Sequence, residues 1–333
     1  MVKIGDVEIG DFPLVLSPMD DVTDMPFRRI CKPFGVDYLI TEFIAADGII
    51  REAEKSFKKM KFTEEEQPIA VQIFGHDEDS LLKSLEFVES VNPDIIDINW
   101  GCPVKKVAGR GAGSGILKDV PKMIKITDRI VKSTKLPVTV KTRIGYDETN
   151  KPIVEVAEML QDIGVKALSI HGRTKTQMYK GVADWTLIGK VKENQRMHIP
   201  VFGNGDIVSA DMAVEYKDRY HVDGILIGRG SIGNPWIFEQ IKRKLAEQDE
   251  RVITIGERVD VCKKHLLSAI DWKGERQAIM EMRKHYGGYF KGIVDFKQFR
   301  IPLVSYSTLE ELLPIFDAIV NYYGDSLDGY SKC

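Results

Sequence analysis

The sequence predicts an α/β fold, a TIM-type (β/α)8 barrel followed by a small C-terminal helical domain. Three observations carry that reading. Eight short β-branched segments recur between turn residues. Amphipathic stretches of helical period lie between them. The strand segments are mostly apolar throughout rather than alternating, as in a parallel sheet covered on both faces.

In chain order the strand segments are "PLVLSPM", "DYLITEF", "PIAVQIFG", "IIDINWG", "PVTVKTRIG", "ALSIHGR", "IPVFGNG" and "GILIGRG". Between them, "SLLKSLEFVESV", "VPKMIKITDRIVKS" and "PIVEVAEMLQDI" repeat apolar residues on one helix face. Alternating strands and helices imply crossover connections. Eight units in about 240 residues suit a barrel of the usual size, about 250 residues. An open doubly wound sheet is the weaker reading, because no G-x-G-x-x-G follows the first strand.

From about Ala246 the pattern changes. "EQDERVITIG" reads as a polar connector, and "ERVDVCKKHLLSAIDWKG", "ERQAIMEMRKHYGGYFKG", "FRIPLVSYS" and "TLEELLPIFDAIVNYYG" read as helices. Gly287-Gly288 are expected to interrupt the second of these. The division is therefore a barrel over 1–245 and a helical domain over 246–333.

Bulk properties exclude several classes. The chain is 43% hydrophobic and 29% charged, as in an ordinary globular protein. The start "MVKIGDVEIGDFPL" has no secretory pattern, and no apolar run reaches the roughly 18 residues of a membrane span. A cytoplasmic protein without a membrane partner is expected. Cys31, Cys102, Cys262 and Cys333 form no C-x-x-C pair, so neither a disulfide framework nor a metal site is expected. A net charge of -3 gives no global nucleic-acid signature, and any basic surface is local. Cys31, Cys262, His76, His198 and His221 sit in no chemical constellation.

Barrel enzymes build their sites at the carboxyl ends of the strands. Here those ends read Ser17-Pro18-Met19, Glu42, Gln72, Asn99 with Cys102, Lys141 with Arg143, His171 with Arg173, Asn204-Gly205-Asp206, and Gly228-Arg229. Apolar bodies with a polar or small residue at nearly every terminus point to a catalytic mouth. "FGNGDI" and "IGRGSIGNP" follow strands seven and eight, where many barrels hold phosphate, and Arg229 adds a charge-assisted contact. "DINWGCPVKKVAGRGAGSG", Asp97 to Gly115, places Cys102 at a strand lip before a basic, glycine-rich loop expected to be exposed and mobile.

The segments "SPMDDVTDMPFR", "QIFG", "DINWGCPVKKVAGRGAGSGIL", "VKTRIG", "SIHGRT", "VFGNGDI" and "IGRGSIGNPWIF", over roughly residues 12–240, resemble the tRNA-dihydrouridine synthases. These are flavoenzymes that reduce uridine in RNA, and the bacterial B-type branch is the nearest likeness. The resemblance implies FMN held by Pro18, Met19, Asp20 and Gln72, with Lys141 at the polar edge of the ring. It places His171 between flavin and substrate, and Asn204, Gly205, Asp206, Gly228 and Arg229 at the phosphate end. NADPH, or NADH, is the implied reductant. Ser17, Asp20-Asp21 and Trp100 depart from the family's usual residues and are expected to alter the pocket's fit.

Reducing the 5,6 double bond of uracil needs a hydride at C6, from the reduced flavin N5, and a proton at C5. A thiol with a pKa of about 8.5 is protonated at neutral pH, so Cys102 is the expected general acid. Its loop would close over the base. Asn99 suits the uracil edge. Lys141 would stabilise charge on the reduced ring, while His171 and Arg173 would steady the carbonyls or a neighbouring phosphate.

In the tail, Arg276, Arg283, Lys284, His285, Lys291, Lys297 and Arg300 interleave with Tyr286, Tyr289, Phe290, Phe296 and Phe299. Read on its own, this segment favours core aromatics with solvated charges over an RNA face. "MRKHYGGYFKG" nevertheless resembles the family's RNA-binding segment, which implies tRNA contacts from Arg283, Lys284 and His285. Lys105, Lys106 and Arg110 would extend that surface at the barrel mouth. A monomer acting on a D-loop uridine of tRNA is expected. The alternatives are action on rRNA, a flavin-dependent dehydrogenase of a free pyrimidine such as dihydroorotate, and an RNA-binding chaperone on a relic barrel.

Overall fold

The computed structural model describes residues 1–324, so Cys333 and the end of the 246–333 domain lie outside the described residues. The chain opens with a hairpin, β1 (Val2–Ile4) and β2 (Val7–Gly10), joined through Gly5 and Asp6. Gly5 has φ +60°, a value that suits glycine in a two-residue hairpin turn. Ile4 and Ile9 pack with Val15, Tyr38, Ile95 and Phe202, so the hairpin closes the amino end of the barrel. The sequence reading missed this element, although Gly-Asp between two β-branched triplets is a hairpin signal.

The remaining strands are β3 (Leu14–Leu16), β4 (Tyr38–Ile40), β5 (Ile44–Ala45), β6 (Ile69–Phe74), β7 (Ile95–Asn99), β8 (Val138–Arg143), β9 (Ala167–His171), β10 (Val201–Asn204) and β11 (Gly224–Ile227). All pairings among them are parallel, and β4 pairs with both β3 and β6, which closes an eight-stranded barrel. The short β5 lies beside the carboxyl end of β6, with Ala45 opposite Phe74. All eight expected strands are present.

The helices of the barrel are α1 (Met25–Cys31), α2 (Ala46–Ile50), α3 (Glu54–Met60), α4 (Glu78–Ser90), α5 (Lys105–Ala108), α6 (Val120–Ser133), α7 (Ile153–Asp162), α8 (Thr186–Glu193), α9 (Ala210–Tyr220) and α10 (Trp236–Leu245). Local chemistry starts several of them. Asp24 caps α1 by accepting the Phe27 N–H at 3.1 Å, and Pro26 sits in its first turn. Asp77, Asp119 and Ser209 cap α4, α6 and α9 in the same way. α6 buries Met123, Ile126, Thr127 and Ile130 on one face, as its apolar period requires.

Helices α11 (Ile255–Lys273), α12 (Glu275–Tyr289), α13 (Lys297–Ser305) and α14 (Leu309–Tyr323) build a second core. Tyr286, Tyr289, Phe290, Phe296 and Phe299 all lie in it, so the aromatics among the tail's charges are packing residues. Gly287-Gly288 do not interrupt α12, which runs through both. Their role is close approach. A Cβ on Gly288 would stand 1.9 Å from the Ile232 carbonyl oxygen, and one on Gly233 would stand 2.0 Å from the His285 carbonyl oxygen. The helical unit thus rests its backbone directly on the loop after β11.

The same junction is stapled by side chains. Phe27 of α1 stacks on His265, with ring centroids 5.2 Å apart, and meets His285 at 4.8 Å. Lys273 pairs with Asp24 across it and with Glu281 inside the helical unit. In the connector, Arg251 forks between Glu239 and Glu257 at 2.6–2.9 Å.

Candidate active site

Because side chains alternate along a strand, residues two apart share a face. Asp97 and Asn99 on β7, Thr139, Lys141 and Arg143 on β8, and Ser169 and His171 on β9 are thereby stacked in polar tiers inside an apolar barrel. Register then sets the neighbours. Asn99 lies opposite Lys141, and His171 lies opposite both Arg143 and Asn204.

Above these tiers, at the carboxyl ends, is a cavity of about 880 Å³. Pro18, Met19, Asp20, Asn99, Cys102, Lys106, Lys141, His171, Asn204, Gly205, Asp206, Gly228 and Arg229 all line it. Gln72, Arg173, Lys105 and Arg110 do not.

Cys102 is 7% exposed and fixed through its backbone. Its N–H donates to Asn99 Oδ1 at 2.9 Å, and its carbonyl accepts from the Ser114 N–H at 3.0 Å and hydroxyl at 2.9 Å. Burial pushes the thiol up from its ordinary value, against a backbone hydrogen bond at Val104 and the cations of Arg143 and Lys141. The thiol is therefore protonated at neutral pH. The loop after it is exposed at Lys105, Lys106, Gly109 and Arg110, as expected, but departs from expectation in its second half. It contains α5, and Gly113 to Leu117 are buried, because a Cβ on Gly115 would meet the Ala108 carbonyl oxygen at 2.1 Å. Gly113 and Gly115 serve tight packing beneath Cys102.

Asn99 also accepts the Gly101 N–H at 2.9 Å and donates to Gln72 Oε1 at 2.9 Å. One amide hydrogen remains to face the cavity. Gln72 has no exposed surface, and its amide nitrogen donates to Asp97 at 2.5 Å. It supports Asn99 from below rather than meeting a ligand. Burial pushes Asp97 up to about 6, opposed by hydrogen bonds from Gln72 and Thr139 and by the Lys141 charge.

Lys141 donates to Asn204 Oδ1 at 3.2 Å across the barrel. Burial, and then the Arg143 charge, lower it to about 8. Burial also holds His171 well below its ordinary value, reinforced by the cations of Arg143, Lys141, Arg173 and Arg229. The nearest of these contacts is Arg173 Nη1, 3.4 Å from His171 Nε2, so the imidazole is neutral within a cationic neighbourhood.

Asp206 grips Arg173 with both oxygens, at 2.9 and 2.7 Å, and takes Arg229 at 2.7 Å and the Ala183 N–H at 2.8 Å. A carboxylate so engaged fixes Arg229 at the cavity wall and has little acceptor capacity left for a ligand. Arg173 is 1% exposed and also donates to the Lys180 and Gly181 carbonyls at 3.0 and 2.6 Å. It holds the 174–182 loop and does not reach the cavity. Glycines shape this end: a Cβ on Gly230 would lie 2.3 Å from the Ile207 carbonyl oxygen, and one on Gly205, at φ +128°, would lie 2.6 Å from Ala183 Cβ.

The structure adds lining residues that the sequence reading gave no ligand role: Phe43, Arg143 and Tyr179. Arg143 donates to Gly101 O at 2.7 Å, Thr174 O at 2.9 Å and Met178 O at 2.8 Å, joining the Cys102 strand end to the next loop but one. Tyr179, half exposed, lies beside the Arg143 and Arg229 guanidinium groups at 5.6 and 5.7 Å. Its loop carries no periodic signal that would have singled it out.

Among the departures, Ser17 lines the cavity, but Trp100 points outward and donates to Thr127 at 3.1 Å, so it cannot alter the pocket's fit. The Asp20, Asp21 and Glu42 carboxylates approach one another, and Lys59 is the counter-ion of Asp20 and Glu42. In the tail, Lys284 is exposed and donates to the Asp21 carbonyl, whereas Arg283 is half-buried and donates to the Tyr306 carbonyl at 3.2 Å. His285 is 3% exposed and packed between Phe27 and His265. The expectation that it meets RNA directly is corrected: it belongs to the junction.

A closed (β/α)8 barrel that gathers a protonated thiol, a buried lysine and a neutral histidine at its carboxyl mouth defines an α/β-barrel enzyme. The dihydrouridine synthase (Dus) family model matches residues 15–321. The chain belongs to that family, and it is an oxidoreductase.

It is 35% identical over 325 residues to a probable tRNA-dihydrouridine synthase of Rickettsia conorii, covering 97% of this chain and 96% of the relative. It is 37% identical over 302 residues to tRNA-dihydrouridine synthase B of Pasteurella multocida, covering 90% of each. In fold it is similar to a variant of morphinone reductase in complex with tetrahydroNAD, at 11% identity and a TM-score of 0.51, over 70% of this chain and 86% of that one. No helix among the described residues is long and apolar enough to cross a membrane.

Proposed function

We propose that this protein reduces uridine in tRNA to 5,6-dihydrouridine in the cytoplasm, with FMN as cofactor and NADPH as reductant. One observation carries the reading: Cys102, Lys141 and His171 line a single cavity in a dihydrouridine synthase.

The donor set fits FMN. Arg229 and the glycine-shaped turns at 205 and 230 suit a phosphate, Met19 and Leu226 offer apolar surface for a ring, and Lys141 offers a cation at its edge. When bound, the flavin supplies the hydride that no side chain can. Lys141 would offer positive charge to the edge of a bound ring, and its value near 8 keeps that charge at neutral pH. Cys102, protonated by virtue of its burial, delivers the proton to C5 of the base. Asn99 fixes the Cys102 backbone and has one N–H left for a uracil carbonyl. His171, held neutral, accepts from Arg173 at 3.4 Å through Nε2 and so can donate through Nδ1.

Nucleoside mass spectrometry tests the reading. tRNA transcripts incubated with the protein, FMN and NADPH should gain the mass of two hydrogens at a uridine. Reduction of free uracil or dihydroorotate chemistry without action on tRNA would overturn it.

A further inference from the structure

Beside the first cavity lies a second, of about 490 Å³, between β5, α3 and the loop after Cys102. Asp20, Phe43, Lys106 and Val107 line both, so the two chambers adjoin. The mechanism above uses nothing that belongs to the second one alone.

Its chemistry is specific. Phe43 and Phe74 are half-buried and stand edge to face, with centroids 5.4 Å apart at 78°. Around this apolar floor are the exposed cations Lys55, Lys106 and Arg110, whose side chains have no hydrogen bond or ion pair among the described residues. Of the two carboxylates in the lining, Asp20 is already paired with Lys59, which leaves Asp47. Aromatic faces beneath unpaired cations are what a single-stranded nucleotide requires: a surface for the base and charge for the phosphate. The volume lies within the roughly 300–1,000 Å³ of small-ligand sites.

We infer that this pocket receives the unpaired nucleotide adjoining the target uridine, its base against Phe43 and Phe74 and its phosphate against Lys55 and Arg110. The inference rests on the RNA reading above. Adjacency to the first cavity, through four shared wall residues, is what it needs, because a uridine inserted there brings its chain neighbour beside the adjoining chamber.

The test uses FMN-loaded protein, NADPH and tRNA transcripts in which the nucleotide on either side of the target is made abasic in turn. Wild-type protein should lose about 5- to 100-fold in kcat/KM on one of the two abasic substrates. Phe74→Ala should lose a similar factor on intact tRNA and little more on that abasic one. Lys55→Gln, at an exposed position, should weaken tRNA use without risk to folding. Both variants should keep the wild-type rate of flavin reduction by NADPH in the absence of RNA. Equal wild-type rates on all three substrates would overturn the inference while leaving uridine reduction standing. Slowed flavin reduction in Phe74→Ala and Lys55→Gln would also overturn it, giving the pocket to the reductant. No dihydrouridine on any transcript would bring down the RNA reading itself.

Discussion

Asn99 Oδ1 accepts the backbone N–H of Cys102 at 2.9 Å, so one amide on a barrel strand sets where the thiol stands. Asn99→Ala would strand the N–H groups of Gly101 and Cys102 and remove the donor to Gln72. Each buried group so orphaned costs about 1–3 kcal/mol. Dihydrouridine formation is expected to fall at least about tenfold, mainly in kcat, because proton delivery depends on position. Steady-state kinetics on tRNA check this, and an unchanged kcat would show that Cys102 does not need the contact.

Cys102→Ala should keep flavin and tRNA binding and lower turnover by about 10²- to 10⁴-fold, the usual worth of a positioned acid. Wild-type turnover should fall on the alkaline side, first as Lys141 loses its charge near 8 and then as the thiol, raised by burial, ionises; Cys102→Ala should lack the second fall. Full turnover by the alanine variant would remove Cys102 from the mechanism.

The barrel and most of its mouth were legible in the sequence because β-branched runs mark strands and the residue ending each run must face a loop. Contacts between distant segments were not. Gln72 ends an apolar run just as Lys141 does, yet its side chain is absorbed by Asp97 and Asn99, a pairing set by register across β6 and β7. Arg173 and Asp206 read as ligand groups because each is charged at a strand end, but they satisfy one another. In the tail, charge and aromatic residues alternate at helical spacing, and only the docking surface decides which face is buried. That surface turned on Gly288 meeting Ile232, two backbones with no side chain between them to advertise the contact.

Those glycines give a paired test. Nothing lies within 4 Å of a Cβ on Gly287, so Gly287→Ala should stabilise α12 by up to about 1 kcal/mol. Gly288→Ala drives a methyl into the Ile232 carbonyl and should cost at least about 1–3 kcal/mol. Thermal unfolding of both variants decides it, and effects of the same sign would contradict the packing described for the junction.

Asp97 sets a pH dependence. Its pKa is about 6 in the folded chain against an ordinary 3.8, so the folded state holds the proton more tightly. Its contribution to stability is fully present below pH 3.8 and is lost as pH rises through 6. Asp97→Asn keeps an acceptor for Gln72 and turns a donor toward Thr139. The stability of this variant relative to wild type should therefore rise between about pH 4 and 6, by up to about 3 kcal/mol for two pKa units. Denaturant midpoints across that range measure it, and the comparison cancels the opposite trend of His265, which burial lowers to about 4. A difference that does not change with pH would contradict the buried, proton-holding carboxyl.

The segment that leads from β3 into the mouth depends on a second buried charge pair. Arg28, 1% exposed on α1, donates to Glu66 at 2.6 Å, and its other nitrogens donate to the Thr23 and Lys61 carbonyls at 3.1 and 2.9 Å. Glu66→Ala leaves that guanidinium buried without its counter-charge, at a cost of about 3–5 kcal/mol. Because Thr23 holds Met19 through its hydroxyl at 2.9 Å, flavin affinity should fall together with stability. Replacing both partners, Arg28→Met with Glu66→Leu, removes the stranded charge and should recover most of the stability. Unfolding midpoints and FMN titration of the single and double variants provide the check. A double variant no more stable than Glu66→Ala alone would mean that the Arg28 backbone contacts, rather than the ion pair, hold this corner.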